Sequence, residues 1–301
     1  MTDLQKKILQ LKAERRALIL AHNYVTADIQ EIADFVGDSL ALSVEAAKVD
    51  AEVLVVCGVR FMAETAKLLS PRAKVLLPEP DAGCPMADMA DVEKLRRARA
   101  EHPDALFVAY VNTTADAKSF ADICCTSGNA EKVVSALPAD RDILFLPDRN
   151  LGGFVADKLR RPMRLWPGCC PVHDAVTREM IEAARAAHPG AKVLIHPECC
   201  AEAVAAADVA LSTGGMLEYC RKSAEKEFII ATECGILARL RQENPDKSFY
   251  ELSPRLICAD MKKITLEKVL AALETLAPEI ELPPEVAKSA LTSVERMIAV
   301  K

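Results

Sequence analysis

The sequence is poor in aromatic residues, at 4% with a single tryptophan. It contains no uninterrupted apolar run of about 18 residues, the length that crosses a bilayer as a helix. It has no basic surplus: 38 lysines and arginines stand against 44 aspartates and glutamates, and the net charge of -6 gives no electrostatic footprint for nucleic acid. No two cysteines are in C-x-x-C spacing, which counts against zinc ribbons and thioredoxin-type redox chemistry. The opening segment MTDLQKKILQLKAERR is charged and helix-patterned, without the basic-then-apolar layout of a secretory signal, so a cytoplasmic location is expected.

What is present is a 51% hydrophobic composition over 301 residues, enough for a large core and, by length, two or three domains. Eleven cysteines in a chain of this kind point to metal binding, redox chemistry or inert burial rather than disulfides. Short apolar runs alternate with longer helix-period stretches: RALILAHNY, QEIADFVGDSLALSVEAAK, AEVLVVCGV, AETAKLLS, AKVLLPEP. That order predicts an α/β fold with parallel sheets flanked by helices.

Three markers recur. Apolar runs end in a polar or aromatic side chain at His22, Tyr110 and His196. A hydroxyl follows each of these by 17 residues, at Ser39, Ser127 and Thr213. A cysteine closes each unit at Cys84, Cys170 and Cys258, with separations of 86 and 88 residues. We read three internal repeats packed around a shared centre: residues 1–84 together with the C-terminal helices of 259–301, residues 85–170, and residues 171–258. The last stretch, after Cys258, is helical by its spacing and is expected to fold back on the first unit.

In open parallel sheets ligands bind beyond the carboxyl ends of strands, where the first markers are expected. The hydroxyl markers precede helical stretches and are expected to cap them, so three converging helix starts, with Gly128, Gly214 and Gly215 nearby, predict a pocket for a carboxylate or phosphate. Cys84, Cys170 and Cys258 would meet at the centre, where soft thiolates select iron-sulfur or zinc. Three thiolates are one fewer than a cluster usually has, leaving one iron open to act as a Lewis acid. The 86-residue spacing favours Cys170 over its neighbour Cys169. His173 is placed to support the cluster or simply to start a helix. His102 and His188 are expected on the surface. Cys57, Cys124, Cys125, Cys169, Cys199, Cys200, Cys220 and Cys234 are expected to be structural.

The segments AHNY, GDS, GCPMADM, YVNTTADAK, CTSGNA, LPDRNLG, GCCPVHD, HPEC, LSTGGM and ICADMKKITLEKV, in this order from residue 21 to about 270, resemble those of the quinolinate synthase family. The resemblance implies three α/β/α sandwich domains related by pseudo-threefold symmetry. It also implies one 4Fe-4S cluster on Cys84, Cys170 and Cys258, with one iron lacking a cysteine ligand. The implied reaction is condensation of iminosuccinate with dihydroxyacetone phosphate to quinolinate, with loss of phosphate and two waters, in NAD biosynthesis. By motif position, His22, Ser39, Tyr110, Asn112, Ser127, His196, Glu198 and Thr213 would contact the dicarboxylate. Tyr24, His196 and Glu198 are the acid-base candidates, and backbone N–H groups at helix starts are expected to hold the phosphate.

The sequence departs from some family members in having Cys258-Ala-Asp-Met in place of a C-x-x-C-x-x-C run, which rules out a disulfide there. Ala210-Leu211 likewise replaces a small polar approach to Ser212-Thr213. Transient contact with the iminosuccinate-producing enzyme is a further expectation, motivated by the lability of the imine. Two rivals fit parts of the pattern. A cluster-dependent hydratase acting on another hydroxy acid would use the same open iron and anion pocket. A non-catalytic metal or redox sensor would use the thiolates but not the strand-end side chains.

Overall fold

The structure, a computed structural model, describes residues 1–300. Twelve strands form three separate four-stranded parallel sheets. The first holds β1 (Ala17–His22), β2 (Phe35–Gly37), β3 (Val53–Cys57) and β4 (Lys74–Leu76), in the order β2-β1-β3-β4. The second holds β5 (Leu106–Tyr110), β6 (Ile123–Cys125), β7 (Ile143–Leu146) and β8 (Arg164–Leu165), in the order β6-β5-β7-β8. The third holds β9 (Lys192–Ile195), β10 (Val209–Ala210), β11 (Glu227–Ala231) and β12 (Ser248–Glu251), in the order β10-β9-β11-β12. Each sheet therefore repeats one topology, and helices connect its strands, as parallel pairing requires. The central strands are buried on both faces, which is why VLVVC and ILFL read as continuous apolar runs rather than alternating ones.

Register repeats as well as order. Leu20 pairs with Phe35, Val108 with Ile123 and Leu194 with Val209, a fifteen-residue offset each time. An aspartate directly before the second strand of each sheet fixes this register. Asp34 Oδ2 accepts from the Ile19 amide at 2.8 Å, Asp122 Oδ2 from Phe107 at 2.7 Å, and Asp208 Oδ2 from Val193 at 2.8 Å. The amide of each aspartate returns a bond to the carbonyl of the same strand residue. A basic side chain from the preceding helix closes each lock: Lys12 on Asp34 at 2.7 Å, Arg99 on Asp122 at 2.9 Å and Arg185 on Asp208 at 2.8 Å.

The first and second sheets share one continuous apolar core, whereas the third has two clusters of its own. The helix Leu266–Thr275 packs on the helix Asp3–Glu14 of the first unit. The last helix, Pro284–Ala299, reaches further, lying against β6 and the helix Ala115–Lys118 of the second unit and the helix Arg60–Leu69 of the first. Its buried face of Ala290, Ser293, Val294 and Met297 belongs to the shared core or sits within it. No helix among the described residues is long and apolar enough to cross a membrane.

Because Val193 is buried, Asp208→Ala leaves its amide without a partner, and a destabilisation of roughly 1–3 kcal/mol is expected. Denaturant unfolding checks this. Asp208→Asn, which keeps an acceptor, should recover part of the loss, and wild-type stability in the alanine variant would refute the lock.

Candidate functional site

One cavity of about 920 Å³ lies where the three sheets meet, lined by His22, Tyr24, Ser39, Tyr110, Asn112, Ser127, His196, Glu198 and Thr213, with Cys84, Cys170 and Cys258, but not by Gly128, Gly214 or Gly215. His22 and Tyr110 are the last residues of β1 and β5, and His196 follows β9 directly. The strand-end placement thus follows the order read from the sequence.

Both strand-end histidines are wired alike. The Tyr24 amide donates to His22 Nδ1 at 3.2 Å and the Glu198 amide to His196 Nδ1 at 3.3 Å, so each ring keeps its hydrogen on Nε2. Burial lowers both pKa values from 6.5 to about 3. Burial, with the charge of Glu198, raises the Tyr24 and Tyr110 hydroxyls well above their ordinary value. The two histidines therefore face the cavity as neutral N–H donors, while the Tyr110 hydroxyl is spent on Glu198. Asn112 adds a side-chain oxygen, Oδ1, that is buried without a hydrogen-bond partner. The turn that carries it is held by buried Lys118, whose Nζ donates to the Thr113 carbonyl.

Glu198 is the buried carboxylate at the centre, 3% exposed. Burial acts to raise its pKa, yet the imidazoles of His196 and His173 and hydrogen bonds from His173 and Tyr110 outweigh this and hold it at about 2. His173 Nδ1 lies 2.7 Å from Glu198 Oε2, and the Tyr110 hydroxyl donates to Oε1. Behind it Asp148, fully buried, caps the helix Arg149–Leu159 through Oδ1 while Oδ2 has no partner. Burial and the Glu198 charge push Asp148 up to about 7, making it the protonated member of the two. Asn150 ties the assembly together, donating to the Glu198 carbonyl at 2.9 Å and to Asp174 Oδ1 at 2.7 Å.

The helix starts differ from expectation. Asp38 and Ser212 cap their helices, and Ser39 and Thr213 occupy the first helical positions beside the caps; Ser127 lies in a turn before Asn129. Asp38 accepts from Ala41 at 2.9 Å and also from Gly214 across the unit boundary at 3.2 Å, while Ser212 accepts from Gly215 at 3.1 Å. The Ala41, Gly214 and Gly215 amides are therefore already occupied within the protein. Gly214 serves the unit contact: a methyl group there would stand 2.5 Å from Asp38 Oδ2. His188 is also corrected, since it stacks on Tyr250 at a centroid distance of 3.6 Å and lines the outer part of the cavity.

Cys84, Cys170 and Cys258 each open a short helical segment or turn facing the cavity, while Cys169 faces away from it, beside Arg149 and Asp174. Burial pushes the Cys84 thiol up to about 12 and raises those of Cys170 and Cys258, so no protein charge makes them thiolates; a bound metal would. Among the described residues the tight donor trio, with all donor atoms within 4.8 Å, is Cys170, His173 and Glu198, not the three cysteines. At least one pair of the cysteine sulfurs is therefore wider than that. A single zinc ion needs sulfurs about 3.8 Å apart, from Zn–S bonds of about 2.3 Å, whereas a polynuclear iron-sulfur group spans more. The Cys170–His173–Glu198 trio is joined by hydrogen bonds, with Nδ1 3.3 Å from the Cys170 sulfur and 2.7 Å from the carboxylate.

Sequence reasoning missed Thr232, Glu233 and Lys262. Glu233 is fully buried and lines the cavity; its Oε1 meets Lys262 Nζ at 2.7 Å and the Cys258 amide at 3.2 Å, and Oε2 accepts from Gly235 at 2.7 Å. Lys262 also donates to the Tyr24 carbonyl. The signal was available: ILFLPD and FIIATE are third-strand runs ending in polar residues, as the first-strand runs do.

Three parallel α/β sheets of one topology, enclosing a cysteine-bearing cavity of neutral anion donors, define a class of repeat-built α/β proteins with a central site. The model of the family described as quinolinate synthetase A protein matches residues 6–299. Proteins named quinolinate synthase are similar throughout: that of Geobacter metallireducens is 51% identical over 297 residues, covering 99% of this chain and 97% of its own. That of Dehalococcoides mccartyi is 51% identical over 294 residues, covering 98% and 97%, and that of Desulforudis audaxviator 50% over 297, covering 99% and 98%. This chain belongs to the quinolinate synthetase A family.

Two predictions follow the electrostatics. Folded His22 and His196 stay neutral down to about 3 while the unfolded chain protonates them near 6.5, so their contribution to stability is complete above 6.5 and is lost as pH falls toward 3. Asp148, raised to about 7, opposes them with one proton against two. The thermal midpoint should therefore fall from pH 6.5 to 5, and His22→Gln should flatten that slope; an unchanged slope would refute the assignment. Glu233→Ala removes the acceptor of the Cys258 and Gly235 amides and one partner of Lys262, which keeps the Tyr24 carbonyl and some water; denaturant unfolding should show a loss of roughly 1–3 kcal/mol.

Proposed function

We propose that the protein is a quinolinate synthase that condenses iminosuccinate with dihydroxyacetone phosphate, losing phosphate and two waters. The observation that carries the reading is the convergence, in one cavity, of three cysteines from three repeated units with a set of neutral donors suited to a dicarboxylate. Family membership and the names of the relatives support it.

In this reading, His22 and His196 donate from Nε2 to substrate carboxylates, Ser39, Ser127 and Asn112 complete their hydrogen bonds, and Thr213 touches the substrate while its hydroxyl hydrogen stays on Tyr24. Neutral donors bind the anion without the desolvation cost of burying a fixed protein cation beside it. Glu198 is held ionised by His173 and Tyr110 and acts as the base, with Tyr24 and His196 as its acid-base partners. Cys84, Cys170 and Cys258 would hold one 4Fe-4S cluster, which would supply Lewis acidity for the loss of hydroxide. The fourth iron would lack a cysteine, since Cys169 faces away from the cavity. A cytoplasmic setting and transient contact with the enzyme that makes the imine belong to the same reading.

An anaerobic assay of cluster-loaded protein with enzymatically generated iminosuccinate and dihydroxyacetone phosphate tests it. Quinolinate is expected from the parent. Cys84→Ala, Cys170→Ala and Cys258→Ala should each lose the brown chromophore and the activity, and Glu198→Gln should lower kcat about 10²- to 10⁴-fold with the chromophore retained. A folded, loaded parent that makes no quinolinate would overturn the synthase reading.

A further inference from the structure

A single line of hydrogen bonds crosses the site. Thr213 Oγ1 lies 2.9 Å from the Tyr24 hydroxyl, which lies 2.7 Å from Thr232 Oγ1. Thr232 Oγ1 is 2.8 Å from His173 Nε2, and His173 Nδ1 is 2.7 Å from Glu198 Oε2. The Tyr110 hydroxyl closes the far end on Glu198 Oε1. The line thus starts in the third unit at Thr213, crosses to the first at Tyr24, returns to the third through Thr232, His173 and Glu198, and ends in the second at Tyr110. Thr232 is its one member outside the cavity lining; it is 2% exposed and sits directly after β11.

Donor counting orients the line. Glu198 is an acceptor on both oxygens, so the His173 hydrogen faces it from Nδ1 and Nε2 presents a lone pair. Thr232 has one hydrogen and gives it to that lone pair. Its oxygen is then left to accept from Tyr24, and the Tyr24 oxygen accepts from Thr213. Tyr24 consequently turns its hydrogen away from the cavity and its lone-pair side toward Thr213 and the substrate space.

We infer that Thr232 is a positioning residue whose hydroxyl couples Tyr24 to the His173–Glu198 pair and fixes the direction in which the Tyr24 hydroxyl points. This rests on the synthase reading only for its kinetic consequence. Without the Thr232 hydroxyl, Tyr24 keeps Thr213 alone and is free to rotate its hydrogen into the cavity, and His173 Nε2 is left buried without a donor.

Thr232→Val keeps the branched shape and removes only the hydroxyl, and Thr232→Ser restores it. In the quinolinate assay of the loaded enzyme, kcat of the valine variant should fall about tenfold to a hundredfold, as expected for loss of positioning. KM should stay within about twofold, because Thr232 does not touch substrate, and serine should return kcat toward the parent. A second readout needs no turnover. The ultraviolet Raman doublet of Tyr24, isolated by difference against Tyr24→Phe, reports whether its oxygen donates or accepts, and it should shift in Thr232→Val but not in Thr232→Ser. An unshifted doublet, or a serine variant as impaired as valine, would overturn the inference. If the parent itself makes no quinolinate, the synthase reading fails and the doublet still decides the role of Thr232.

Discussion

Everything around the cavity follows from keeping one carboxylate charged where water does not reach. An ionised side chain as buried as Glu198 costs several kcal/mol in desolvation unless donors surround it. Those donors come from two different units: Tyr110 at the end of β5, and His173 on the short helix Pro171–Asp174. Asn150 from the second unit then grips the backbone that carries Glu198. The carboxylate is therefore a structural keystone, and the hydrogen bonds that hold it in place are the ones that make its burial tolerable.

The threefold repetition explains how such a centre is assembled from short elements. Each sheet delivers its first strand's carboxyl end to the middle, and the aspartate lock fixes the register that decides which face each end presents. The repeats are equivalent in scaffold and unequal in chemistry. At the second position after β3, β7 and β11 stand Val59, Asp148 and Glu233, and only the latter two carry buried carboxylates.

Much of this arrangement was legible before any coordinates. Parallel α/β architecture followed from buried apolar runs, and the three-unit period from recurring markers at His22, Tyr110 and His196 and at the cysteines, because each unit repeats one strand order and spacing. The helix caps were misassigned because Asp38-Ser39 and Ser212-Thr213 each offer two capping residues side by side, and only backbone geometry shows which one closes the helix. The Asp34, Asp122 and Asp208 locks escaped notice since an aspartate before a strand reads as an ordinary loop residue. Lys262 was hidden for a different reason: its partner Glu233 is distant in sequence, and long-range pairing leaves no local pattern, whereas Thr232 and Glu233 close an apolar run of the kind that marks the first strands.

The division of the apolar core has its own consequence. The first two units are fused by one hydrophobic interior, strapped by the terminal helix, whereas the third keeps its apolar clusters to itself and meets the others largely through polar contacts such as Asp38 to Gly214 and Tyr24 to Thr213. Mechanically, the molecule is a two-lobed block with a third lobe joined along a hydrophilic seam. That seam passes through the cavity and carries the Glu233–Lys262 pair and the hydrogen bonds of Tyr110, Asn150 and Arg239, so the lining is complete only with the third lobe docked.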